Sequence, residues 1–297
     1  MKLKSTLLLA IIGCALLTHC KEKKSNVQLE QAYLVDLNEW REKLNKRRVA
    51  YLELCGLYKM TKSDLVVGID SSNTFSNDPS KIKTPIGTFK WSGEHYNFES
   101  NIQSNVRNSS GETIDQKQLI LDHFGDSELL FYNTFKWRII TRSGAPYLRI
   151  WNKENPAISA FDGFNYFQAN PNFIVEAEFK YFEKTKIESV ASKLGIDDDT
   201  SFVGQVSFKY DNKIHTLDVG PDGWIMVADA TSGDKTYGAG RYMYVNLPKE
   251  DGVIRLDFNK LYNPPCRYSK YTTCLFPPRQ NVLSFEIRAG ELNDFNK

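Results

Sequence analysis

Over residues 173–181 the chain alternates with a strict period of two. Phe173, Val175, Ala177, Phe179 and Tyr181 fall on one side, and Glu176, Glu178 and Lys180 on the other. Successive side chains of a strand point to opposite faces, so this segment is a strand with one apolar and one wet face. Such strands belong to antiparallel sheets, in which one face covers a core and the other meets water. Residues 203–210 and 214–219 repeat the theme around Asp211-Asn212. Both of those residues tolerate positive φ, so the pair predicts a tight hairpin turn.

Further strands are predicted at residues 87–91, 118–121, 129–132, 136–141, 147–151, 224–228, 241–245, 253–258 and 282–287. Pro221-Asp222-Gly223 is a turn ahead of one of them. Residues 70–85 and 100–116 are rich in Ser, Asn and Gly and read as long loops. The 15 Tyr and 18 Phe, against 4 Met, suit strands better than helical bundles. One amphipathic helix precedes the strands. Leu29, Tyr33, Leu37, Trp40 and Leu44 recur at helical spacing along one stripe, with Arg41, Lys43, Lys46 and Arg47 mostly off it. The stripe is expected to pack on the body of the protein, with the helix ending before Gly56. The fold class is therefore mainly β, with antiparallel sandwich or barrel-like sheets and one N-terminal amphipathic helix.

Residues 1–19 have the layout of an export signal. Lys2 and Lys4 precede an apolar run over residues 5–18, too short for a comfortable membrane span. Cys20 follows, then the charged residues 21–26, so residues 20–26 read as a polar tether. An apolar run, a Cys and a polar tether is the layout of a bacterial lipoprotein signal, with Cys20 as the acylated residue. Cys14, after Ile11-Ile12-Gly13, is an alternative position. The expectation is an extracytoplasmic protein, periplasmic or at the cell surface, held to a membrane by its lipid anchor.

Without residues 1–19, the 38 basic side chains lose Lys2 and Lys4 and balance the 36 acidic ones. A neutral chain offers no basic surplus for phosphates, so nucleic acid is not an expected partner. No cofactor motif and no metal-ligand pattern is present. The nucleophile elbow, the zinc-protease helix motif, the phosphate loop and the dinucleotide glycine pattern are all missing. His95, His123 and His215 are isolated in sequence. Asp197-Asp198-Asp199-Thr200 lacks the spacing of a calcium loop and reads as a solvated turn.

Two constellations remain. Arg138, Arg142 and Arg149 lie on or beside strands, as surface ion pairs or as a site for a small anion. In the C-terminal third, Asp229, Tyr237, Arg241, Asp257, Asn259, Tyr262 and Asn263 gather at strand ends among glycines. They could line a polar pocket, with Arg241 for an anion and Asp257 as acid or base. They could equally cap turns and fix a sheet corner. Cys266 and Cys274 flank seven residues after Pro264-Pro265. In an exported protein the expected use of such a pair is a disulfide, worth about 2–3 kcal/mol for so short a loop. A thiol or metal pair is the alternative. Cys55 reads as a buried, small apolar residue.

The run Asp257-Phe258-Asn259-Lys260-Leu261-Tyr262-Asn263-Pro264-Pro265-Cys266, with Cys274, Pro277-Pro278 and Asn281, resembles the signature of the DUF1684 family. Trp40-Arg41, Cys55-Gly56-Leu57, the run from Arg149-Ile150-Trp151-Asn152 to Pro156, and residues 236–242 are also similar to family segments. The resemblance implies one integrated domain over residues 27–297 and supplies no catalytic residues. The function expected is a small-molecule binding or scaffold domain of the cell envelope. A hydrolase using Asp257 and a structural factor that binds another envelope protein are the alternatives.

Overall fold

The computed structural model describes residues 29–293, so the signal segment, Cys14, Cys20 and the tether lie outside the described residues. The helix α1 (Gln31–Arg48) opens the fold. Leu37 and Leu44, from the apolar stripe, are buried, and Trp40 and Leu44 pack beside Val190, Phe202, Met226 and Tyr262. The stripe thus faces the body of the protein. It also runs one turn further than its apolar residues, because Arg48 follows Leu44 at helical spacing and is 1% exposed.

Nine strands follow: β1 (Leu54–Lys59), β2 (Leu65–Asp70), β3 (Phe75–Ser76), β4 (Ile82–Trp91), β5 (Tyr96–Ser100), β6 (Gln116–Leu119), β7 (Leu130–Tyr132), β8 (Phe135–Arg142) and β9 (Ala145–Asn152). They form two antiparallel sheets, ordered β1-β9-β8-β7 and β3-β2-β4-β5-β6. Val67, Ile86, Phe89 and Phe98 from one sheet meet Trp137, Ile139, Leu148 and Ile150 from the other in a shared core. This is the sandwich solution, in which each sheet hides its apolar face against its partner.

The remaining strands are β10 (Ile174–Ala191), β11 (Asp197–Tyr210), β12 (Lys213–Val219), β13 (Trp224–Val227), β14 (Arg241–Tyr244) and β15 (Gly252–Asp257). They form a four-stranded sheet, β12-β11-β10-β15, and the β13-β14 ribbon. Phe173, Ala177 and Phe179 are buried in a second core with Val206, Phe208, Ile225 and Leu256, while Glu176, Glu178 and Lys180 are exposed. Asp211 and Asn212 turn the β11–β12 hairpin with φ of 48° and 59°, the left-handed values their identities predict.

Three segments differ from the sequence reading. Residues 70–85 are not one long loop but hold β3 and the first residues of β4. Residues 197–200 are not a solvated turn but the first residues of β11, paired with residues 188–191 of β10. The hairpin simply continues outward, and its turn lies at residues 192–196. Residues 282–287 form no strand; Val282 makes a single bridge to Ala228. Leu283 and Phe285 still pair with the Ala228 and Ala230 backbone, but at Ile287 side chains take over: its N–H donates to Asp229 (3.1 Å) and its carbonyl accepts from Arg241 (3.1 Å).

Candidate functional site: a cavity between sandwich and C-terminal block

The expected C-terminal constellation folds into a polar framework rather than a pocket wall. The Arg241 guanidinium donates to Asp229 Oδ2 at 2.8 Å and to the carbonyls of Ala289, Glu291 and Ile287. Both side chains of the ion pair are 0% exposed. Asp229 Oδ1 accepts from Thr231 and from the Ile287 N–H. The pair therefore clamps the C-terminal tail onto the β13–β14 ribbon. Burial is strong enough to pull the Arg241 pKa down, with Asp229 opposing that shift.

Asp257 is not part of that cluster. Its carboxylate accepts from Tyr33 Oη at 3.0 and 2.9 Å and from Asn259 N and Nδ2. Asn259 in turn grips the Asn170 backbone with both ends of its amide. Asn263 Nδ2 donates to the Leu292 carbonyl, Tyr237 Oη donates to the Cys266 carbonyl, and the Tyr262 ring lies 5.5 Å from the Arg48 guanidinium. Asn281 ties β12 to β13 through Asp218 and the Met226 carbonyl. Buried polar groups in such numbers are stable only because partners are supplied for them. What sequence reasoning missed is the largest member, Arg48. It donates to Glu291 at 2.6 Å, to Asn45 and to Tyr166, and its guanidinium lies 4.1 Å over Phe164. Its place at the end of the helical stripe was the available signal.

None of those residues lines the most chemically promising cavity. Strand β9 builds it. Leu148 and Ile150 point into the sandwich core, so Arg149 and Trp151 point out of it by alternation. This outer face is covered by the C-terminal block. Arg149, Trp151 and Leu54 form one side, and Pro265, Thr272, Thr273, Cys274 and Leu275 another. Trp224 and Tyr242 from the β13–β14 ribbon and Tyr51 from the end of the helix complete a space of about 370 Å³. The block is pinned there by the Lys193 N–H to the Cys274 carbonyl (2.8 Å) and the Phe276 N–H to the Ala191 carbonyl (2.8 Å).

The cavity is aromatic on most sides and carries one guanidinium. Arg149 donates to Thr273 Oγ1 at 3.1 Å, makes no ion pair with any described residue, and has a buried Nε with no acceptor. Arg138 and Arg142, on the neighbouring strand, both face Asp126, as alternation predicts, and are paired with it. Arg138 lies directly opposite Arg149 in the ladder. Burial, reinforced by Arg142, pulls the Arg149 pKa down to about 10. Two of the three guanidiniums thus share the Asp126 carboxylate, and the one that lines the cavity is paired with none.

Cys266 and Cys274 are free thiols here, not the disulfide expected from their spacing. The two thiols are neighbours all the same: their side chains hydrogen-bond to each other, and the Cys266 N–H donates to Cys274 Sγ at 3.2 Å. Among the described residues no group of three His, Cys, Asp or Glu side chains is placed to hold a metal ion.

The chain resembles DUF1684, a protein family of unknown function, over residues 159–292. The DUF1684 stretch holds Asp229, Arg241, Asp257, Asn259, Cys266, Cys274 and Glu291, whereas Arg149 and Trp151 lie before it. The chain is also similar to the solution NMR structure of an uncharacterized protein of Haloarcula marismortui, at 27% identity, over 49% of this chain and 83% of that one, with a TM-score of 0.40. A search of curated proteins finds no match.

Proposed function

We propose that this protein is a membrane-anchored, extracytoplasmic lipoprotein that binds a small organic anion in the cavity between the sandwich and the C-terminal block. One observation carries the reading: Arg149 is a desolvated guanidinium without a carboxylate, facing a space walled by Trp151, Trp224 and Tyr242. A buried charge left unpaired is costly, and an incoming anion removes that cost. The aromatic walls suit an apolar body attached to the charged group. Hydrolysis by Asp257 gains no support from the geometry, since its carboxylate is occupied by Tyr33 and Asn259. The anchor rests on Cys20 and its flanking sequence; among the described residues no helix is long and apolar enough to cross a membrane.

The reading is tested by thermal shift of the purified protein with benzoate, a medium-chain carboxylate and inorganic phosphate, beside the matching neutral amides. Stabilisation by the organic carboxylates, absent with the amides and abolished in Arg149→Gln, is the expected result. Equal effects of acid and amide, or unchanged binding in Arg149→Gln, would sink it. For the anchor, Cys20→Ser should move the protein from the membrane fraction to the soluble one.

A second reading, docking to another envelope protein, has its own observation. Ile120 and Phe124 are 64% and 71% exposed, and Ile120 and Leu121 border a groove of about 460 Å³ lined by Met60, Trp91 and Tyr96. Cross-linking from position 120 in cells would reveal such a partner, and clean monomeric protein after cross-linking would dismiss it.

A further inference from the structure

The wall of the cavity contains a nucleophile that anion binding does not use. Cys274 lines the cavity, and Cys266 lies beside it without lining it. Both are buried, at 8% and 7% exposure, so the cavity is the way in to the pair. Four groups converge on Cys274: the Cys266 thiol, the Cys266 N–H, the Thr272 hydroxyl and the positive charge of Arg149. We propose that Cys274 and Cys266 form a thiol–disulfide exchange site, in which Cys274 attacks a small disulfide held in the cavity and Cys266 resolves the product.

The division of labour follows from access: Cys274 lines the cavity that would hold the disulfide, and Cys266 does not. The four converging groups, the Cys266 thiol first, hold Cys274 below the ordinary thiol range, whereas hydrogen bonding to Cys274 and burial push Cys266 above it. A thiolate is the attacking species, and a protonated neighbour within reach is the resolving one. Cys55 offers the contrast: burial pushes it up to about 12.

The steps balance. Cys274 thiolate attacks one sulfur of R–S–S–R; the old S–S bond breaks and the first R–S⁻ leaves and takes a proton. Cys266 then loses its proton and attacks the Cys274 sulfur, expelling the second R–S⁻ and closing a Cys266–Cys274 bond. Two electrons pass from the cysteine pair to the small disulfide, which departs as two thiols. A disulfide bearing carboxylates suits Arg149; that preference rests on the anion reading, while the exchange rests on the sulfur pair alone.

The experiment incubates the folded protein with glutathione disulfide or the neutral bis(2-hydroxyethyl) disulfide, quenches by alkylation and maps the peptides by mass spectrometry. In wild type the Cys266–Cys274 bond should form and reopen with reduced glutathione. Cys266→Ser, or Cys266→Ala if the first folds poorly by circular dichroism, should trap a mixed disulfide at Cys274. That adduct should form at least about tenfold faster than any at Cys55, and Cys274→Ser should give none at Cys266. Arg149→Gln should slow both disulfides, because the charge that favours the Cys274 thiolate is gone, and glutathione disulfide the more. A pair that is already bonded and resists glutathione in the native protein overturns the proposal in favour of a structural disulfide. Thiols that stay free overturn it as well. Equal rates for both disulfides overturn only the anionic preference.

Discussion

Arg48 and Glu291 are 243 residues apart in sequence and 2.6 Å apart in space, each with 1% of its side chain exposed. The last turn of the first helix and the end of the described chain thus close on one another. Glu291 also accepts from Tyr268 Oη and from the Asn263 N–H, so the ion pair gathers the C-terminal block around it. Removing one partner leaves the other as an uncompensated buried charge. Arg48→Met or Glu291→Gln should each cost about 3–5 kcal/mol, and the double variant Arg48→Met/Glu291→Leu less than the sum. Urea unfolding checks this, and single variants within about 0.5 kcal/mol of wild type would contradict it.

Asp257 should prove a structural acceptor. Tyr33→Phe removes the two contacts to its carboxylate and should cost about 1–3 kcal/mol, the usual range for hydrogen bonds to a charged group. Asp257→Asn should fall in the same range, with a double-mutant cycle showing coupling to Tyr33. Anion binding, measured by calorimetry, should be unaffected in both.

Arg149 should behave in the opposite way to Arg48. Its charge has no carboxylate partner, so Arg149→Gln should leave stability unchanged or raise it by about 1 kcal/mol. Anion affinity should fall at least tenfold, an effect of about 1.4 kcal/mol. Arg149→Lys keeps a positive charge without the planar fork and should rescue only part of the binding. A strongly destabilised Arg149→Gln would show that the side chain is structural.

Alkaline pH should weaken the fold before it reaches the ordinary arginine range. Burial lifts the Cys55 thiol from 9.0 to about 12, and the Tyr58 and Tyr166 phenols from 10.0 to about 12. The folded protein therefore keeps these protons where the unfolded chain releases them. Their contribution is complete below about pH 9 and is lost as pH rises from there toward 12. Arg149 acts in the opposite sense only above about 10. Urea midpoints should accordingly decline from about pH 9 toward 12, and a flat profile across that interval would refute the assignment.

Local periodicity was enough for most of the antiparallel elements, though not for β1, β2, β3 and β5, and for the side of the helix that packs. The Phe173–Tyr181 alternation, the Asp211-Asn212 turn and the Leu37–Leu44 stripe each express a rule that acts within a few residues. The same local reasoning set Arg149 on or beside a strand, as an ion pair or part of an anion site. It could not say what covers that strand, because Cys274 and Trp224 arrive from more than seventy residues away. Nor could it separate a polar pocket from a polar framework at Asp229, Arg241 and Asp257. That choice depends on whether carbonyls such as Ala289 and Ile287 occupy the guanidinium, and whether Tyr33 reaches the carboxylate. Hydrogen-bond satisfaction of a buried group is a property of all the segments that surround it, so only the tertiary structure decided which arginine is held by a carboxylate and which is not.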